Sequence, residues 1–177
     1  TALLSRYPLK SLFGVDPFPR RRDAARAAGA HAVFDTADPG ALKDRLEEES
    51  GGTMADLVFE LSGNPQSLDA AIATAGFASR IIIGSWYGTK PTSVNLGGKF
   101  HRSRIRLISS QVSTLPHEFL ARWTTARRLG TAWDMIRCVK PSRFITHEFP
   151  VEKAAEAYAL LDQRPSESAQ VVLTYAG

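Results

Sequence analysis

Short apolar segments alternate with helix-forming stretches along most of this chain, and that alternation restricts its fold more than any other feature. Ser11–Val15 (SLFGV), Ala32–Phe34, Ala55–Leu61 (ADLVFEL), Arg80–Ile83 with its three isoleucines, and Ile105–Ile108 read as strands. Between them lie an Ala- and Arg-rich helix over Arg20–Ala28 with Gly29 as its stop, and a helix opened by Asp38–Pro39 and closed after Ser50 by Gly51–Gly52. A third helix opens at Asn64–Pro65 and runs to Ala75, with Gly76 ending it. Strands separated by helices of about 10–15 residues argue for βαβ units and a parallel sheet. Parallel strands covered on both faces are written as unbroken Ile/Val/Leu runs, which these are. The expected fold class is α/β, a doubly wound and mostly parallel sheet.

The remaining chain continues the pattern less regularly. Gly84–Ser103 is a long polar loop. Phe119–Val139 is expected to be helical, softened at Gly130, with Phe119, Trp123 and Trp133 turned to the core. Phe144–Phe149 is a strand, Val151–Leu161 an amphipathic helix with Ala154, Ala155, Tyr158 and Leu161 on its apolar stripe, and Gln170–Tyr175 a last strand. At 177 residues, 44% apolar and 23% charged, the chain is able to bury a core. Disordered, collagen-like and coiled-coil chains are excluded. No apolar run approaches the roughly 20 residues that cross a bilayer, so no membrane association is expected. The one cysteine, Cys138, excludes a disulfide framework and a multi-cysteine zinc knuckle. It is expected to be a small buried hydrophobe in a reducing, cytoplasmic protein. The opening TALLSRYPL shows no signal-peptide pattern and reads as the last turns of a helix, so the chain is expected to begin inside an element.

Asp16 carries the most chemical information. A strand ending in an acid and followed by a helix is the second βα step of a dinucleotide-binding fold, where the carboxylate accepts both hydroxyls of a ribose. The same residue in a turn also simply caps the chain ahead of Arg20. Arg20, Arg21 and Arg22 follow at once and raise the question of a 2′-phosphate, which Asp16 would repel, so NAD is favoured with NADP as the alternative. Further polar loops, Ser62–Gly63–Asn64, Gly84–Ser85 and Ser109–Ser110–Gln111, follow successive strands. In open parallel sheets ligands bind at those carboxyl ends. His31, His101, His117 and His147 have no paired ligand spacing, so an in-chain zinc site is not expected. The net charge is +4. Lys99, His101, Arg102, Arg104, Arg106, Arg122, Arg127 and Arg128 make the best case for nucleic acid. No recognised nucleic-acid motif accompanies them, and a solvated basic face is expected instead.

Four segments carry a family resemblance: Val15–Asp35, Ala55–Ile72, Arg80–Gly88 and Ile145–Tyr175. Their most specific parts are E-x-S-G-N-P at Glu60–Pro65 and the closing block ITHEFPVEKAAEAY. Together they resemble the C-terminal half of the zinc-dependent alcohol dehydrogenases, the medium-chain dehydrogenase/reductase superfamily. GSWYG with the FHRSRI and ISSQVS segments resembles a bacterial subgroup in which some relatives act in tetrapyrrole or sugar-alcohol chemistry. The resemblance implies that the chain supplies strands two to six of a Rossmann sheet, without the first strand and its glycine loop. Residues 1–140 are then an incomplete dinucleotide-binding domain and 141–177 a segment of the catalytic domain.

It further implies Asp16 on the adenosine ribose and Arg21 beside it. Ser62 and Asn64 would lie along the path to the nicotinamide, Gly84 and Ser85 against the nicotinamide, and Ser110 and Gln111 opposite. Zinc, its ligands and the proton relay belong to the part of the family's chain that has no counterpart here. The implied role is cofactor binding for hydride transfer between an alcohol or polyol and NAD(P), with this chain inactive alone. Two other readings stay open. One is an S-adenosylmethionine-dependent methyltransferase, which also ends its second strand in an acid. The other is a non-catalytic oligomerisation or binding module, with Ile105–Ile108 as the strand that would extend the sheet into a homo-oligomer.

Overall fold

The computed structural model describes residues 1–175. The chain forms two compact units, Thr1–Asp38 with the chain from Ala121 onward, and Pro39–Leu120.

The first unit opens with a 3₁₀ turn over Leu4–Arg6 and then β1 (Phe13–Val15), α1 (Pro19–Ala27) and β2 (Ala32–Phe34). Pro19 starts α1 because its missing N–H is one the first turn leaves unpaired anyway. Gly29 follows the cap at φ +100°, and a Cβ there would stand 2.7 Å from Ser5 Cβ, so both conformation and space require glycine. β1 and β2 pair in parallel, Phe13 with Ala32 through Val15 with Phe34. The Phe13 and Phe34 rings meet edge to face at 5.6 Å. His31 is engaged here: its Nδ1 accepts from the Leu12 amide at 2.8 Å, and its own amide donates to Leu12.

This unit also holds α4 (Thr125–Val139), β6 (Ile145–Pro150), α5 (Ala154–Gln163) and β7 (Gln170–Thr174), with β6 and β7 parallel. Helix α4 is shorter than expected and unbroken. A 3₁₀ turn takes His117–Phe119, and Thr124 Oγ1 caps the helix by accepting from Arg127 N at 3.1 Å. Gly130 does not soften it, because one glycine costs only about 1 kcal/mol against alanine. Phe119 and Trp133 are exposed rather than core, Trp133 at 59%, and Cys138 is exposed as well. Leu129, Trp133 and Ile136 line one outward face, while Val139 takes the buried position beside Cys138. The stripe expected on α5 is also one position off. A 3₁₀ turn, Val151–Lys153, leads into the helix. Ala157 and Leu160 are buried, and Tyr158 and Leu161 face outward.

The second unit contains α2 (Pro39–Ser50), β3 (Ala55–Glu60), α3 (Ser67–Thr74), β4 (Ala75–Ile83) and β5 (Arg106–Ser109). The three strands are parallel in the order β3-β4-β5. Gly51 and Gly52 stop α2 with φ of 64° and 85°. Leu68, Ala71, Ile72, Ala75, Ile81 and Ile105 form the core, and Ile81 in the central strand is fully buried. Within this unit the sheet is covered on one face only. Val58 and Glu60 point toward α3's side, whereas Leu57 and Phe59 alternate with them and are exposed. Gly76 does not end α3; it lies in β4, where a Cβ would come within 2.2 Å of the Thr53 carbonyl oxygen.

Among the described residues the ladders are β1–β2, β3–β4, β4–β5 and β6–β7, all parallel.

Candidate functional site

In the first unit, half-buried Asp16 follows β1 directly. Its Oδ1 accepts from the Phe18 amide at 2.9 Å, the turn-capping contact, while its own amide donates to the Phe34 carbonyl. Arg22 Nη1 donates to the Asp16 carbonyl at 2.7 Å and pairs with Asp35 Oδ2 at 2.8 Å. Arg21 is turned elsewhere. Its Nε donates to the Ser168 carbonyl at 3.0 Å and Nη2 to the Pro165 carbonyl at 3.1 Å, and its guanidinium lies over the Phe18 ring. Arg20 Nη1 donates to the Glu167 carbonyl at 2.7 Å. Sequence reasoning grouped these arginines; the fold gives each a different acceptor.

In the second unit the parallel strands bring Ser62–Asn64, Gly84–Ser85 and Ser110–Gln111 to the carboxyl end of one sheet. Ser110 N donates to the Ile83 carbonyl at 2.8 Å and Gly84 N to the Glu60 carbonyl at 3.0 Å, which fixes these loop starts against their neighbours. Asn64 Oδ1 accepts from Gln66 N at 3.2 Å, a local turn ahead of α3, and Gln111 Oε1 accepts from Ser113 N at 2.8 Å.

The centre of this edge is a residue to which sequence reasoning gave no role, Glu60, only 4% exposed. Its Oε1 accepts from the Ser62 amide at 2.8 Å and from Ser62 Oγ, and its Oε2 accepts from the hydroxyls of Ser85 and Tyr87. Burial pushes the Glu60 carboxyl up. The Ser62, Ser85 and Tyr87 hydroxyls and the Ser62 amide outweigh that and hold it below its ordinary value. The Tyr87 phenol is pushed up by burial and by its bond to the carboxylate, which outweigh the lowering effect of the neighbouring Ser85 hydroxyl. The clue in the sequence was a charged residue two positions after Val58 in ADLVFEL, and so on the same face of the strand, where a carboxylate that becomes buried requires donors.

Part of the basic set is occupied by the fold. Lys99 Nζ donates to the Ala73 carbonyl at 2.6 Å near the end of α3. Arg127 lies over Trp123 and donates to the Arg122 carbonyl. Among the described residues no group of three or more His, Cys, Asp or Glu is gathered where it could hold a metal ion. No helix among them is long and apolar enough to cross a membrane.

Residues 10–127 match the family model for zinc-binding dehydrogenases. D-guloside 3-dehydrogenase of Escherichia coli is 23% identical over 176 residues, 98% of this chain and 50% of the relative. The starvation-sensing protein RspB of Escherichia coli is 23% identical over 171 residues, 96% of this chain and 46% of the relative. Among solved structures, zinc dependent alcohol dehydrogenase 2 from Streptococcus pneumonia superposes with a TM-score of 0.79 at 21% identity, covering 99% of this chain and 48% of that one. A short chain alcohol dehydrogenase, RspB from Escherichia coli CFT073 in complex with NADH, superposes with a TM-score of 0.74 at 20% identity, covering 98% of this chain and 47% of that one. The chain therefore spans about half the length of the curated relatives it matches. Its Rossmann-like α/β fold with parallel sheets is shared with these solved structures, and by the match over most of its length the chain belongs to the zinc-binding dehydrogenase family.

Proposed function

We propose that this chain is the cofactor-positioning part of an NAD-dependent dehydrogenase of an alcohol or polyol, NADP being the alternative cofactor. The supporting observation is the parallel β3-β4-β5 sheet, which gathers the Ser62–Asn64, Gly84–Ser85 and Ser110–Gln111 loops at one carboxyl edge. In this reading Asp16 takes the ribose diol, its Oδ2 left for a hydroxyl while Oδ1 holds the turn. Ser62 and Asn64 border the ligand, Gly84 and Ser85 meet the nicotinamide, and Ser110 and Gln111 lie opposite. Arg21 supports this region through the fold, given its two carbonyl acceptors. Bound nicotinamide supplies the hydride acceptor; the chain's own residues bind and orient it. Residues 1–140 are read as the dinucleotide-binding part and 141–177 as a segment of the catalytic part, with the alcohol-polarising metal held outside these residues. The chain alone turns over no alcohol.

Saturation-transfer NMR of the 177-residue chain with NADH, NADPH and S-adenosylmethionine tests this reading. NADH signals that collapse in Asp16→Ala support it. A response to S-adenosylmethionine without one to NADH overturns it, and so does alcohol oxidation by the isolated chain for the inactivity.

A further inference from the structure

The Glu60 cluster has a consequence for the kind of ligand edge that the β3-β4 end accepts. Each serine and tyrosine hydroxyl owns one proton. Around Glu60 the hydroxyl protons of Ser62, Ser85 and Tyr87 all point to a carboxylate that is acceptor-only. The carboxylate is buried and therefore needs them, because an ionised group without donors is costly away from water. Toward anything else, Ser85 and Tyr87 then present lone pairs. Ser62 Oγ already accepts from Asn64 N at 3.0 Å, which is the same polarity. Ser62 is exposed and Ser85 and Tyr87 are only half-buried, so these oxygens are reachable.

We infer that Glu60 is a positioning residue that fixes the hydroxyls of Ser85 and Tyr87 as hydrogen-bond acceptors, so that this edge selects a ligand group that donates, a primary carboxamide, over one that only accepts, a carboxylate. The inference rests on the proposed dinucleotide reading and specifies the polarity of its nicotinamide end. A carboxylate placed against two outward lone pairs finds no proton there and meets the Glu60 charge behind them. A carboxamide NH₂ meets both oxygens as acceptors.

Substituting Glu60→Gln reverses the polarity without changing the size of the side chain. The amide oxygen stays on the Ser62 N–H, and the NH₂ replaces the oxygen that Ser85 and Tyr87 addressed. Their protons are then released outward. The test compares NAD with its deamido analogue, in which the carboxamide is a carboxylate, by saturation-transfer NMR competition on the 177-residue chain. The expected wild-type preference for NAD is about tenfold, the scale of one buried hydrogen bond gained against one lost. In Glu60→Gln it falls to within about twofold, and in Glu60→Asp it is largely retained. Tyr87→Phe, which leaves the carboxylate and the fold's other donors in place, lowers the preference on its own. If NAD binds and the ratio is the same in wild type, Glu60→Gln and Tyr87→Phe, the inference is overturned and the dinucleotide reading stands. If neither dinucleotide binds the wild-type chain, the dinucleotide reading fails and the inference falls with it.

Discussion

Arg21 reaches from the first turn of α1 to the carbonyl of Ser168, 147 residues away in the chain, with Nε and oxygen 3.0 Å apart. Ser168 is fully buried, so its carbonyl has no water to turn to if the guanidinium leaves. The second bond, to Pro165, uses the planar fork of the same group. Arg21→Ala is expected to destabilise the chain by about 1–3 kcal/mol, read as a lower urea midpoint with an unchanged m-value. Arg21→Lys should recover little, since an ammonium does not span both carbonyls. If Arg21 instead touches the ligand directly, NADH affinity per folded molecule falls in Arg21→Ala; on the geometry above it holds.

Gly76 sits against the backbone of the segment before β3. Alanine there would put its Cβ 2.2 Å from the Thr53 carbonyl oxygen, and backbone does not swing aside as a side-chain tip does. Gly76→Ala is expected to cost at least about 3 kcal/mol, the upper range for forced overpacking. Thermal unfolding by circular dichroism reads it, and a shift of a degree or less would contradict the close approach.

Ala78 shows the opposite case. It lies in β4 with φ of 54°, a left-handed conformation that an L-residue holds at a cost of about 1–2 kcal/mol. Its amide is anchored to the Ser103 carbonyl at 2.7 Å, which holds it there. Ala78→Gly relieves the strain at the expense of backbone entropy, so a net gain of about 0.5–1 kcal/mol is expected. A lower melting temperature in that variant would contradict it.

Acid sensitivity should trace to Glu60. Its folded carboxyl titrates below the ordinary 4.5, so the stability it contributes is complete above that pH and is lost as pH falls through the lower folded value. Urea midpoints measured from pH 6 downward are expected to fall along that limb in wild type. In Glu60→Gln the limb is shallower. Equal slopes in both proteins would mean that other carboxylates set the acid limb.

Cys138 offers a quick check of the α4 face. Because it is exposed, it should react with a thiol reagent in native buffer at nearly the rate of the urea-unfolded chain. Slow labelling that speeds up only on unfolding would return Cys138 to the interior.

Much of the architecture was legible because its causes are local. Strand-sized Ile/Val/Leu runs and helix-forming stretches gave the order of elements. Gly29 and Gly51 marked helix ends through a backbone conformation that glycine holds without strain. Pro39 opened its helix because of its fixed φ and missing donor. Asp16 could be placed at the end of β1 because Pro17 and Pro19 break the chain just after the apolar run, and family-specific segments pointed to the Rossmann-like half of a zinc-binding dehydrogenase.

What the linear order left open was decided by distant partners. Trp133 and Cys138 lie outward because α4 turns Val139 inward, a choice set by packing and not by hydrophobicity. On α5 packing turns Ala157 and Leu160 inward and leaves Tyr158 and Leu161 exposed, one position from the stripe read in the sequence. Arg21 found carbonyls near the far end of the chain instead of an open surface. Glu60 became the centre of a hydroxyl cluster only because the β3–β4 register sets Glu60 beside Ile83, two residues before Ser85. Residue type and spacing determine what a segment does to its own backbone. Which donors a buried carboxylate gathers depends on strands meeting in register, and that exists only once the sheet has formed.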